Sequence, residues 1–212
     1  ANASTTGFRG QRVTFAQALA TARSPDIALV DSQTPSVDSQ PGPVTTTGEP
    51  LDIALQGDGF FAVDTPNGVR YTRAGALRRD DEGVLRTTTG MALRSADGGP
   101  LQIPLEATQV TIGEDGTIAT ELGPVGSLAL ATFAPDAVSH DGGNLFIARG
   151  QPLADAPPPV VLQGFLEGSN VNVVRGVVDL VKVSRTYEAL LKMIQGFHDV
   201  ESRAARELGG PT

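Results

Sequence analysis

Cysteine and tryptophan are absent from the 212-residue chain, lysine occurs only at Lys182 and Lys192, and histidine only at His140 and His198. Without cysteine there is no disulfide framework, no thiolate metal site and no cysteine nucleophile. Two histidines leave little for metal or general-base chemistry. Ten aromatic residues, none of them tryptophan, make a poor stacking platform for sugars. Basic residues are the minority sign: the net charge of −8 argues against nucleic acid, which needs a basic stripe to neutralise phosphates. No apolar run approaches the 18 or so residues of a membrane span. Residues 1–8 have neither the basic nor the apolar region of a Sec signal. Because the numbering opens on Ala1, the chain is expected to start inside a longer polypeptide.

Glycine and proline, 25 and 15 residues, are plentiful and unevenly placed. Residues 1–49 are rich in Thr, Ser, Pro and Gly, with one short periodic patch (Val13, Phe15, Ala18, Leu19), and are expected to be extended or irregular with little core of their own. From Pro50 the pattern alternates through Leu51, Ile53 and Leu55. The run Phe60 to Val63 follows, then the turn Pro66-Asn67-Gly68 and Val69 and Tyr71, which together describe a β-hairpin. Strand candidates follow at 84–88, 110–112, 118–120, 128–133 and 145–148, separated by turns such as Asp80-Asp81-Glu82-Gly83 and Asp141-Gly142-Gly143. A last strand is expected over 160–166. The reading for 50–166 is a compact all-β central domain.

The segment 167–212 changes period. Gly168-Ser169-Asn170 offers an N-cap, and Leu180, Val183, Tyr187, Leu190, Ile194, Phe197, Ala204 and Leu208 then fall at three- and four-residue steps, with Glu201 at one position, until Gly209-Gly210-Pro211 stops the pattern. A helix over 172–208 would be roughly 55 Å long. Its extra valines at 173, 174, 177, 178 and 181 call for partner helices. Charge divides along the same line: residues 171–212 carry six basic and five acidic groups, leaving a net −9 on residues 1–170. A near-neutral helix suits packing of like against like. The fold class is thus mainly β with a long C-terminal assembling helix. The candidate functional residues are the seam Leu180, Val183, Tyr187, Leu190, Ile194 and Phe197.

Motifs that suggest chemistry fail on context. Gly57-Asp58-Gly59-Phe60-Phe61-Ala62 matches a dinucleotide fingerprint but leads into a turn and another strand instead of a helix, so it reads as a tight turn between strands. Ser139-His140-Asp141 holds three triad residue types in consecutive positions that cannot face one another, and reads as a turn. The acidic turns lack the ligand spacing of a calcium loop. His198 has no ligand set around it in sequence. No catalytic, cofactor or metal residues are assigned, and no small-molecule substrate is expected.

Three blocks resemble one family, the axial proteins of the bacterial flagellar rod and hook. They are Ala1-Asn2-Ala3-Ser4-Thr5-Thr6-Gly7-Phe8-Arg9, then Gly48 to Val63 with Tyr71-Thr72-Arg73-Ala74-Gly75, and Leu166-Glu167-Gly168-Ser169-Asn170-Val171-Asn172 with the helix through Arg185, Tyr187 and Glu188. The motif positions so identified are Asn2, Gly7, Phe8, Gly57, Gly59, Phe60, Phe61, Ser169 and Asn170. The resemblance implies a structural subunit of the basal-body rod, in the periplasm, exported by the flagellar type III apparatus without a cleaved signal. Its partners would be other copies of itself and other rod and axial proteins, and it would polymerise through terminal helices into a torque-carrying shaft. The short central domain, residues 40–50 and Gly168 look more like the proximal than the distal rod branch. Alternatives are a distal rod subunit or a non-enzymatic periplasmic β-domain binding module. In relatives an N-terminal helix precedes the first block, which implies that residues 1–212 lack it. Gly176 and Leu77 depart from the family pattern, and Gly176 weakens the helix start by about 1 kcal/mol relative to Ala.

Overall fold

The computed structural model describes residues 2–12, 15–19, 28–32 and 36–208. Val13 of the periodic patch and the expected helix stop at 209–211 lie outside these residues. The chain forms two compact units, residues 1–171 and 172–212.

The first unit is β. Alternating apolar residues and glycine turns make antiparallel hairpins, the largest group ordered Val138–His140, Leu145–Ala148, Gly68–Thr72, Phe60–Thr65, Ala92–Leu93, Leu85–Thr87, Leu77–Arg79, with Leu130–Ala131 also pairing Phe60–Thr65. Phe60–Thr65 sits inside this sheet, and its unbroken apolar run has a cause. Phe61 and Val63 face the main core with Ile53, Leu85, Leu93 and Ile118, whereas Phe60 faces a second cluster with Phe133, Val138 and Phe146. A strand buried on both faces loses the polar alternation of a half-exposed one. A three-stranded sheet, Val110–Ile112, Thr117–Thr120 and Gly123–Ser127, contributes Ile112 and Ile118 to the main core.

Several expectations need correction. The strand anticipated over 160–166 is two: Val160–Gln163 pairs Ile53–Gln56, and Phe165–Glu167 pairs Val44–Thr46. The partner changes at Gly164, whose left-handed backbone (φ 79°) turns the chain between them. Ser139 and His140 lie in a strand opposite Ile147 and Phe146, so the turn begins only at Asp141. The stretch 128–133 holds only the strand Leu130–Ala131. Gly57-Asp58-Gly59 does join two strands, and a Cβ at Gly59 would lie 2.6 Å from the Pro159 ring.

Surface turns are tied by carboxylates. Glu121 accepts hydrogen bonds from the Thr108 and Gln109 amides (2.5 and 3.0 Å) and the Thr108 hydroxyl (2.9 Å), and these donors, the Thr108 amide foremost, hold its carboxyl down to about 2 from an ordinary 4.5. A carboxyl depressed in the folded state stabilises above its unfolded pKa, and that contribution disappears as pH falls from about 4.5 to about 2. A side-chain NMR titration should therefore place the Glu121 midpoint well below the ordinary glutamate value of 4.5, and Glu121→Gln should remove this part of the acid dependence.

The second unit is one α-helix, Val173–Leu208, about 54 Å long at 1.5 Å per residue. Its N-cap is Asn172, whose Oδ1 accepts from the Arg175 amide at 3.0 Å. The expected cap at 168–170 is used elsewhere, as described next. Among the described residues, no helix is apolar enough over 18 residues to cross a membrane.

Candidate assembly interface

Six seam side chains, Leu180, Val183, Tyr187, Leu190, Ile194 and Phe197, occur in the helix and are 51 to 70 % exposed. Positions 180, 187 and 194 alternate with 183, 190 and 197 as the two core positions of a heptad, so at 3.6 residues per turn they share one face. The side chains of Ala204 and Leu208, at the end of the pattern, lie outside the described set. Large aliphatic and aromatic groups concentrated on one exposed face mark a contact surface.

The motif residues converge on a different place, in the β unit. Glu167 is 1 % exposed and accepts from Arg9 (3.0 Å), Arg73 (3.1 Å) and the Gly42 amide (3.1 Å). Arg9 and Arg73 are themselves 2 % and 1 % exposed. Arg73 also donates to the Leu55 and Gly57 carbonyls at 3.0 and 2.5 Å, and Arg9 to the Ser39 carbonyl. Burial and the neighbouring Arg9 cation push the Arg73 guanidinium down to about 10, against the opposing pull of Glu167. One carboxylate thus joins the N-terminal block, the central hairpin and the last strand. These three residues stand within the sequence motifs, yet sequence reasoning does not single them out as a site. The available signal is a charge of each sign inside otherwise apolar blocks, since a buried charge needs a partner.

The other motif residues frame this junction. The Gly7 amide donates to the Glu167 carbonyl at 2.8 Å, and a Cβ on Gly7 would lie 2.3 Å from the Arg73 carbonyl carbon. Asn2 caps a turn by accepting from the Thr5 amide, and the Phe8 ring lies 5.5 Å from that of His140, which burial keeps below its ordinary pKa. Asn170 accepts from the Gly10 amide at 2.8 Å and donates to the Gln40 carbonyl at 2.9 Å, while Ser169 accepts from the Val171 amide. Phe60 stands under Arg73, with the guanidinium 5.6 Å from the ring centre. Phe61 is a core residue. The seam and the junction are therefore separate features: the seam side chains are exposed, whereas Arg9, Arg73 and Glu167 are buried. Among the described residues, no group of three or more histidine, aspartate or glutamate side chains is arranged to hold a metal ion.

Backbone approach at the junction leaves no room for a methyl group. A Cβ on Gly42 would sit 1.9 Å from the Gly168 carbonyl oxygen, and one on Gly75 would sit 1.7 Å from the Ile53 carbonyl oxygen. Both obstacles are backbone, so relief requires separating strands. Gly42→Ala and Gly75→Ala should each cost about 3 kcal/mol, at the upper end of overpacking effects, while Gly90→Ala, at a turn with open space around it, should cost less. Urea denaturation of the three variants checks the order.

Comparisons with known proteins give the family. Residues 54–120 match the family described as "Flagellar hook protein FlgE/F/G D1 domain", and residues 162–207 match "Flagellar basal body rod FlgEFG protein C-terminal". The "Flagellar basal-body rod protein FlgF" of Escherichia coli (strain K12) is 36% identical, over 96% of this chain and 87% of its own length. The chain belongs to the flagellar basal-body rod protein family. It is FlgF-like: the FlgF of Rhizobium meliloti (strain 1021) is 30% identical over 99% of this chain and 88% of its own length. The "Flagellar basal-body rod protein FlgG" of Bacillus subtilis (strain 168) also aligns, 32% identical over 92% of this chain and 84% of its own length. As a rod protein it is a structural subunit of the flagellar basal body. The first family region covers the hairpin carrying Arg73, and the second runs from Leu162 through Glu167 and the seam.

Proposed function

We propose that the chain polymerises through its C-terminal helix, the seam Leu180, Val183, Tyr187, Leu190, Ile194 and Phe197 packing against helices of other subunits to build the proximal part of the rod. The exposure of all six side chains on one heptad face carries this reading. Other copies of the chain and other rod and axial proteins are the partners. The flagellar type III apparatus exports it, and the shaft it joins stands in the periplasm and transmits torque without catalysing a reaction. The identity to FlgF relatives, up to 36% among those compared against 32% for FlgG relatives, supports the proximal over the distal position. The test is Leu190→Asp combined with Ile194→Asp in the cell's own copy of the gene. Non-motile cells whose isolated basal bodies lack the protein are expected, and motile cells with the variant in normal rods would overturn the reading.

A further inference from the structure

The second apolar cluster of the β unit borders a cavity that is charged at one end. The cavity, about 560 Å³ and so within the range of small-molecule pockets, is lined by Val37, Phe60, Phe133 and Val138 on its apolar sides and by both Arg9 and Arg73. The two arginines are buried, which makes theirs the closed end, whereas the exposed Asp58, Pro157 and Pro158 lie at the mouth. Each guanidinium carries five N–H donors. Glu167 and the carbonyls of Ser39, Leu55 and Gly57 take some of them, but the Nε–H groups of Arg9 and Arg73 are both buried with no hydrogen-bond acceptor. Buried donors left in this state carry a desolvation cost, and folded proteins hold few of them. Charge is out of balance in the same place. One buried carboxylate serves two buried guanidinium groups, and burial and the Arg9 cation hold Arg73 down to about 10 against its pull, still a cation at neutral pH. Asp58 also attracts Arg73, but from an exposed position where water and salt screen it.

We infer that this cavity binds a small carboxylate carried on a short apolar tail, its charged group at the arginine end and its tail along Phe60, Phe133 and Val138. The site lies wholly within the β unit and is independent of the assembly reading. An anion is favoured because it supplies the second negative charge that the two arginines lack at the closed end. A carboxylate is favoured among anions because its two oxygens accept a parallel pair of N–H bonds from the edge of a guanidinium. The apolar walls give the tail its place: a bare hydrated anion would lose its water there and recover nothing from the aromatic rings, whereas an alkyl chain is stabilised by leaving water. A partner's acidic loop fits less well. To bring a side-chain carboxylate to arginines buried this deeply, the loop would have to carry its own backbone N–H and C=O groups into an apolar enclosure.

The test is a titration of the isotope-labelled full chain with sodium octanoate, followed by amide NMR. The Phe60, Phe133 and Val138 signals should shift saturably. Octanol, with the same tail and no charge, should bind at least about tenfold more weakly, the worth of a charge-assisted hydrogen bond. Octylammonium, with the opposite charge, should leave the three signals in place. Asp58→Asn removes the carboxylate at the mouth and should tighten octanoate binding about two- to threefold, more at low salt. The Leu190→Asp, Ile194→Asp variant strips the exposed seam and should bind octanoate as the parent does, which keeps this site distinct from the assembly surface. Octanol binding as tightly as octanoate, octanoate shifts confined to the helix, or no saturable shift at the three amides would each overturn the inference.

Discussion

Glu167→Ala should destabilise the β unit by about 3 to 5 kcal/mol, the range for removing one partner from a buried ion pair. The loss is large because of what remains. Arg9 and Arg73 would lose the carboxylate they share in an enclosed site, and the Gly42 amide would lose its acceptor. Glu167→Gln keeps an acceptor oxygen and should cost less than Ala while still removing the negative charge the two arginines share. The half-buried pair of Arg86 with Asp80 gives the contrast, and Arg86→Ala should cost less than Glu167→Ala. Some buried ion triads can be replaced by apolar residues without loss. Here that route is closed, because Arg73 also satisfies the buried Leu55 carbonyl, which an apolar substitute would leave without a donor. The combination Arg9→Met, Arg73→Met and Glu167→Leu should therefore stay well below the parent protein in urea midpoint. If Glu167→Ala melted within about 1 kcal/mol of the parent, the junction would not hold the unit together.

The parts of this architecture that were legible in the sequence are those specified over short distances. The 60–72 hairpin showed itself through its apolar run and Pro-Asn-Gly turn, and the helix through its seam, because periodicity and turn chemistry act within a few residues. Ala92–Leu93 and Leu77–Arg79 gave no such signal, since strands of two or three residues are too short for alternation and are set by the neighbours they pair with. The junction was illegible for a related reason. Arg9 and Glu167 are 158 positions apart, and no local pattern announces that they share one site. The N-cap was misplaced because Asn170 looks like a cap in sequence, whereas its side chain ties the Gly10 and Gln40 backbone instead. Asn172, two residues on, was free to take that role. The 160–166 stretch looks like one strand because Gly164 is a weak break locally; only the change of partner, from 53–56 to 44–46, divides it.

Leu190→Asp with Ile194→Asp should abolish rod incorporation and leave the β unit's denaturation unchanged. The two residues lie one turn apart in the middle of the seam, where each aliphatic side chain buried against a partner supplies about 1.5 to 3 kcal/mol. All six seam positions would give an upper estimate near 9 to 18 kcal/mol before the costs of association and ordering, so removing two takes about a third of the driving force. The larger effect is electrostatic. Each carboxylate would be carried into a desolvated interface at a penalty of several kcal/mol per ion, with no seam cation to meet it. Repeated at every subunit of a polymer, that penalty exceeds what the remaining four positions return. Lys192→Asp places the same charge on the opposite side of the helix, about 170° from the seam at 100° per residue, and should incorporate normally. Since residues 1–171 form their own compact unit with both buried clusters inside it, the double variant should match the parent in the β unit's urea midpoint. That pairing of results separates a broken contact surface from a broken fold. Loss of incorporation together with a lowered midpoint would instead mean that the seam supports the β unit, and the assembly assignment would fail.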